Sequence, residues 1–183
     1  LESLCAVCLK FFILQSNMQK NSPAKPEFVD IYIKKRINME NTFFCQWFKG
    51  FEKGLDEMDL DSRDCLLKHC AKCCADTGVL QSYLKLYQTV NGERDAFYSR
   101  LSEIGNVRGE IVVSNKEYFI YFPECACDIH TVFGVNTNNL CECSRQSIIY
   151  VAKLVWSDNR IRVEQVETIL SGDTECKFRV IFD

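Results

Sequence analysis

Val107-Arg108-Gly109-Glu110-Ile111-Val112-Val113-Ser114-Asn115-Lys116-Glu117-Tyr118-Phe119-Ile120-Tyr121-Phe122 is the stretch that decides the fold. Strand signals start at Val107. Ile111-Val112-Val113 and the aromatic run 118–122 are joined by Ser114-Asn115-Lys116, a connection of hairpin length. A second pair of strands ends the chain, with 161–170 leading through Ser171-Gly172-Asp173-Thr174 into 176–182. In the last run Cys176, Phe178, Val180 and Phe182 alternate with Lys177, Arg179 and Asp183, a period-two, edge-to-core pattern. Val163 and Val166 differ in parity, which predicts a bulge between them. Between the two pairs lies a long loop, 123–143. It leads into a helix capped by Ser144, with Ile148, Val151, Ala152 and Val155 on one face.

Upstream of residue 107 the pattern is helical. An apolar segment at 4–14 is too short to cross a bilayer, which takes roughly 20 residues, and is expected to be a buried helix. Pro23 and Pro26 mark a linker. Phe28, Ile31, Tyr32, Ile37, Phe44, Trp47, Phe48 and Phe51 recur at roughly helical spacing until Gly50 and Gly54 loosen the pattern. Asp61 is the expected N-cap of the next helix, with Asp64 at its third position, and Gly78 ends it. Two further helices are expected over 79–91 and 94–104, on either side of Asn91-Gly92. The reading is one domain over 1–183, helical over 1–106. Residues 107–183 then supply a hairpin, a cysteine-rich loop, a helix and a second hairpin.

The chain has 183 residues, 47% hydrophobic, with a net charge of −3, enough to bury a full core. A Lys/Arg stripe interleaved with aromatics is missing, so no nucleic-acid partner is expected. No membrane association is expected either, and the expected location is cytoplasmic. GxSxG, HExxH, P-loop and GxGxxG motifs do not occur.

Twelve cysteines carry most of the functional signal. Cys5 and Cys8 form a CxxC, and Cys65, Cys70, Cys73 and Cys74 fall in one helix. Cys125/Cys127 and Cys141/Cys143 are two CxC pairs around a thirteen-residue loop. If that loop closes, four sulfurs converge at a helix N-terminus, where the positive end of the dipole favours thiolate. Four thiolates need a cation, so Cys125, Cys127, Cys141 and Cys143 are candidate ligands for zinc or an Fe–S cluster. His130 in the same loop can replace one sulfur. Packed, inert thiols and disulfides stand beside this reading. Cys70, Cys73 and Cys74 share a helical face and form a second, weaker metal cluster, with burial in the core as the alternative. Glu164 and Glu167 are acid/base candidates against a solvated strand face. Tyr118, Phe119, Tyr121 and Phe122 line either an apolar pocket or an ordinary core.

Cys141-Glu142-Cys143-Ser144, the helix after it, and Val163-Glu164, Thr168-Ile169-Leu170-Ser171-Gly172-Asp173 and Cys176-Lys177-Phe178 together resemble the C-terminal signature of the 4-vinyl reductase domain superfamily. The resemblance is strongest to its L-2-amino-thiazoline-4-carboxylic acid hydrolase-like branch and bacterial relatives, and covers residues 107–183. It implies an α+β fold, with helices packed on a twisted antiparallel sheet of about four strands, as in haem-nitric-oxide-binding and TRAPP-type subunits. It also implies a small apolar or planar ligand between helices and sheet, and a homodimer.

Three functional readings follow. The first is a binding module for a small molecule or a metal, with the CxC cysteines at the pocket mouth. The second is a hydrolase opening a small thiazoline-like heterocycle through a Cys143 thiolate or a metal-bound water, with Glu164 or His130 moving protons. The third is a disulfide-bonded interaction protein.

Overall fold

A computed structural model describes residues 43–157 and 160–183. The expectations for Cys5 and Cys8, the segment 4–14, the proline linker and the start of the aromatic helix lie outside the described residues. The single domain expected over 1–183 also reaches beyond them. Within them the chain forms one compact unit.

The helical part runs α1 (Phe43–Glu57), α2 (Leu60–Thr77), α3 (Leu80–Thr89) and α4 (Arg94–Ser99), then a 3-10 turn at Leu101–Ile104. Strands β1 (Arg108–Val113) and β2 (Glu117–Phe122) follow. A one-turn helix, α5 (Asp128–Thr131), and a 3-10 turn at Asn138–Leu140 interrupt the cysteine-rich loop. Helix α6 (Cys141–Trp156), β3 (Ile161–Glu167), a 3-10 turn at Ile169–Ser171 and β4 (Cys176–Phe182) complete the chain. The architecture is α+β, with a four-stranded antiparallel sheet in the order β1-β2-β4-β3.

Several sequence expectations are corrected. Helix α1 runs through Gly50 and Gly54 to Glu57. Packing holds it there, since Leu55 is fully buried and Phe48 stacks on Phe133 at 4.6 Å, which outweighs the weak helix propensity of glycine. The N-cap of α2 is Asp59, whose carboxylate accepts from the Ser62 N–H at 2.9 Å; Asp61 lies inside the first turn. Ser144 does not cap α6. The 3-10 turn runs straight into the helix, so α6 starts at Cys141 and Ser144 lies within its first turns. Strand β4 is not at an edge: it is hydrogen-bonded on both sides. The bulge foreseen between Val163 and Val166 is present, as a register shift between Gln165 and Glu167. The β1–β2 pairing shifts in the same way between Ile111 and Val113.

Alternation along the strands gives the sheet two faces. Tyr118 and Ile120 lie beside Val180 and Phe178 and are buried under the helices. On the opposite face Arg179 donates to Glu117 at 2.8 Å and to Glu164 at 3.2 Å. Lys177 and Arg108 lie over the Phe119 and Tyr121 rings there, and their stems cover apolar surface. On the helical side α6 packs between α2 and β3. Ala71 and Ala75 of α2 are fully buried, and their small side chains allow close packing. Among the described residues no helix is long and apolar enough to cross a membrane.

Two contacts join α4 to the hairpin. The Tyr98 and Tyr118 rings stack at 3.9 Å. Asp95 accepts from the Asn115 N–H at 2.8 Å and from the Ser114 and Tyr118 hydroxyls at 2.6 Å each. These hydrogen bonds, first that from the Asn115 amide, hold the Asp95 carboxyl below its ordinary range. The approach is close because position 109 has no side chain: a Cβ there would lie 2.1 Å from the Tyr98 carbonyl oxygen.

Gly109→Ala is therefore expected to destabilise the fold by at least about 1–3 kcal/mol in urea unfolding, the usual cost of overpacking. An unchanged midpoint would show that α4 and β1 can separate freely. Asp95→Asn is expected to lower the melting temperature by a few degrees at pH 7. Because the folded carboxyl is depressed, its stabilising effect is complete above the ordinary range near pH 4 and is lost as pH falls through the folded value. The gap between wild type and variant should narrow in acid, and a gap independent of pH would contradict the assignment.

Candidate functional site

Two adjoining cavities open between the helices and the buried face of the sheet. The larger encloses about 160 Å³. Helix α6 forms one wall with Cys143, Ser144, Ser147, Ile148, Val151, Ala152 and Trp156. Facing it are Cys74 of α2, Val79 just before α3, Tyr83 of α3, Phe97 and Tyr98 of α4, Ile120 and Phe122 of β2, and Ala126 and Cys127 of the loop. The smaller cavity, about 40 Å³, shares Phe122, Ala126, Cys127 and Ser144 with the larger. Cys125, Cys141 and Cys176 line it as well. Among the described residues neither wall carries an Asp, Glu, His, Lys or Arg side chain.

The cysteine-rich loop is tied to α1 and α2. Asp56 accepts from the Thr137 hydroxyl at 2.5 Å and the Asn139 amide at 2.7 Å, and Glu52 accepts from the Asn136 N–H at 3.0 Å. Arg63 reaches Asn139 and the Leu55 and Met58 carbonyls. These bonds fix residues 133–139 and so bring the two CxC pairs together.

The expected quartet does form a neighbourhood, but it is divided. Cys127 and Cys143 line the large cavity together with Cys74. Cys125, Cys127 and Cys141 line the small one together with Cys176. Cys141 and Cys143 thus serve different groups, Cys127 borders both, and each group takes in a cysteine from elsewhere. Cys176 sits there because β4 turns it inward beside Phe178. Among the described residues no group of three or more His, Cys, Asp or Glu side chains is arranged to hold a metal ion.

Cys65, Cys70, Cys73, Cys74, Cys125, Cys127, Cys141, Cys143 and Cys176 are free thiols. Cys70, Cys73 and Cys74 are exposed residues, which corrects the expectation of core burial. The buried stripe of α2 is Leu67, Ala71 and Ala75, and at 100° per residue Cys74 sits at its edge, Cys70 farther out and Cys73 farthest. Cys74 nevertheless borders the cavity, and desolvation of its thiol is the first cause that raises its pKa.

The electrostatics run opposite to the helix-dipole expectation. Burial pushes the Cys143 thiol up to about 12, with Cys74 and Cys127 as further causes. Burial likewise pushes Cys141 up to about 11, partly offset by a hydrogen bond with Thr168. Cys127 and Cys176 are raised by the same first cause. Withdrawal from water therefore dominates over the helix terminus, and these sulfurs are neutral thiols at pH 7.

His130 and Glu164 lie elsewhere. His130 Nδ1 is 2.9 Å from the Val135 carbonyl, an acceptor, so this nitrogen carries the proton and the ring braces the loop. Glu164 is on the far face of the sheet, paired with Arg179 and 3.6 Å from Arg162. Of the aromatic hairpin residues only Phe122 reaches the cavities; Tyr118 is core, and Phe119 and Tyr121 lie on the opposite face of the sheet, where Tyr121 is buried beneath Arg108 and Lys177. Sequence reasoning did not single out Ser147, Trp156 or the pairing of Cys74 with the loop. The face Ile148, Val151, Ala152 and Val155, continued back by three and four residues, passes through Ser144 and Ser147.

The Gly172-Asp173 signature closes the β3–β4 connection. Gly172 has φ 97°, and Asp173 accepts from the Thr168 N–H at 2.8 Å. This turn sets Leu170 and Cys176 into the wall of the small cavity.

No family model matches the chain, and no curated protein matches it. A solved structure of a trafficking protein particle complex subunit 3 from Naegleria fowleri, covalently bound to palmitic acid, is similar at a TM-score of 0.41 and 14% identity. The match covers 83% of this chain and 96% of that one. A likeness at that level carries no functional reading.

Brief iodoacetamide treatment at pH 7, read by peptide mapping, should label exposed Cys73 rapidly and leave Cys141 and Cys143 nearly untouched. Cys143 alkylated as fast as Cys73 would show a thiolate at the start of α6.

Proposed function

We propose that this chain is a small-molecule-binding domain whose ligand occupies the larger cavity between α6, α2–α4 and the sheet. One observation carries the reading: a void of about 160 Å³ with a mainly apolar wall and a few thiol and hydroxyl groups. Ligand sites commonly combine an apolar enclosure with a small number of polar groups that set orientation. An apolar void of this size can hold a small hydrocarbon. The resemblance of residues 107–183 to the 4-vinyl reductase superfamily supports the same location for a ligand. The described residues of the wall offer thiols, hydroxyls and aromatic rings, which suits holding a molecule rather than transforming it.

An environment-sensitive apolar dye, Nile red, tests the proposal. Wild-type protein should bind it saturably with a large rise in emission. Ala152→Leu, which fills the middle of the cavity, should weaken the dye by about tenfold or more while holding or raising the melting temperature. Absence of saturable dye binding by folded wild-type protein would overturn the reading.

A further inference from the structure

Two thiols have no part in the proposed ligand site. Cys141, the first residue of α6, and Cys176, the first of β4, are buried and line the small cavity but not the large one. Their sulfurs are held on consecutive residues. The Ile169 N–H donates to Cys176 Sγ at 3.5 Å, and the Cys141 thiol is hydrogen-bonded to the Thr168 side chain. Thr168 is fully buried and fixed in turn, its N–H by Asp173 and its hydroxyl by Ser171. Neighbouring Cα atoms lie about 3.8 Å apart, so two sulfurs bound to adjoining residues share one small space. Their mutual effect agrees with this: after burial and the Thr168 bond, Cys176 is the group that acts most on Cys141.

The void beside them is about 40 Å³. One water needs about 10–15 Å³ of such space. Hydrogen peroxide is little larger than water and carries no charge, so it fits where a bulkier reagent or an anion does not. Cys125, only half-buried, borders the same void and marks its side toward solvent.

We infer that the small cavity is a redox site, where a small hydroperoxide joins Cys141 and Cys176 in a disulfide. The Cys176 thiolate, supported by the Ile169 N–H, attacks one peroxide oxygen. The O–O bond breaks, and the released hydroxide takes the thiol proton and leaves as water. Cys176 is then a sulfenic acid. The Cys141 sulfur attacks it, the S–O bond breaks, and hydroxide leaves with the Cys141 proton as a second water. Two thiols and one peroxide thus give one disulfide and two waters, with two electrons passing from sulfur to oxygen. The new bond ties the start of α6 to the start of β4. Burial, the first cause that raises both thiols, keeps the thiolate fraction small, so the reaction is slow beside that of a surface thiolate. It does not depend on a ligand in the larger cavity.

The test uses the full chain, reduced, freed of reductant, kept dilute and treated with millimolar hydrogen peroxide. After quenching with catalase, free thiols are blocked with N-ethylmaleimide in denaturant. Linked peptides of the monomer are then read by tandem mass spectrometry, with fragmentation that separates Cys141 from Cys125, Cys127 and Cys143. The expected result is loss of both free thiols, with Cys176 linked mainly to Cys141 and the link reversed by dithiothreitol. The same treatment in urea should scatter the pairing. Folded protein that keeps Cys141 and Cys176 free after exposed Cys73 is oxidised would overturn the inference. So would Cys176 linked mainly to any other cysteine, or a pairing as scattered as in urea. In Cys141→Ala, dimedone should capture Cys176 as its sulfenic acid, and capture at Cys125 without capture at Cys176 would overturn the order of attack. The wild-type mapping decides the pairing even if that variant does not fold.

Discussion

Helix α6 is held from two sides, and the rest of the site follows from that placement. Ala71 and Ala75 let α2 come close on one flank, and β3 packs along the other, where Arg145 also donates to the Val163 carbonyl at 3.2 Å. A helix pinned this way cannot rotate, so each residue of its first turns has an assigned direction. Cys141 and Cys143, separated by about 200°, point into different cavities. The small cavity and the large one are thus two consequences of a single helix orientation.

Desolvation then governs the chemistry. A thiol at a helix N-terminus is a candidate nucleophile only while water or a cation can support its negative charge. Around Cys143 the neighbours are other thiols, serine hydroxyls and hydrocarbon, with Glu142 close in sequence. That setting stabilises the protonated form. The ion pairs of the outer sheet face, Arg179 with Glu117 and Glu164, are partly exposed, so charge gathers there and not among the thiols.

Much of this was legible in the residues. The hairpin around Ser114-Asn115-Lys116, the bulge between Val163 and Val166, the positive φ at Gly172 and the inward row Cys176, Phe178, Val180, Phe182 all follow from local pattern. Local signals failed where tertiary contacts decide. Gly50 and Gly54 read as weak points of a helix until packing on Phe133 and the buried Leu55 enters the account. Ser144 looks like a cap because nothing in its neighbourhood reveals that a 3-10 turn already feeds the helix three residues earlier. The convergence of the two CxC pairs was readable from loop closure. Their division was not, since it depends on the rotation of α6 and on Cys74 and Cys176 arriving from distant segments.

The β1 strand lies at the margin of the sheet with Ile111, Val112 and Val113 partly open to solvent. An apolar margin of this kind invites a second chain to zip on and extend the ladder without limit. The irregular pairing between Ile111 and Val113 disturbs the even spacing of donors and acceptors such an intruder would need. A kink at one residue therefore makes this margin a poor template for fibril growth.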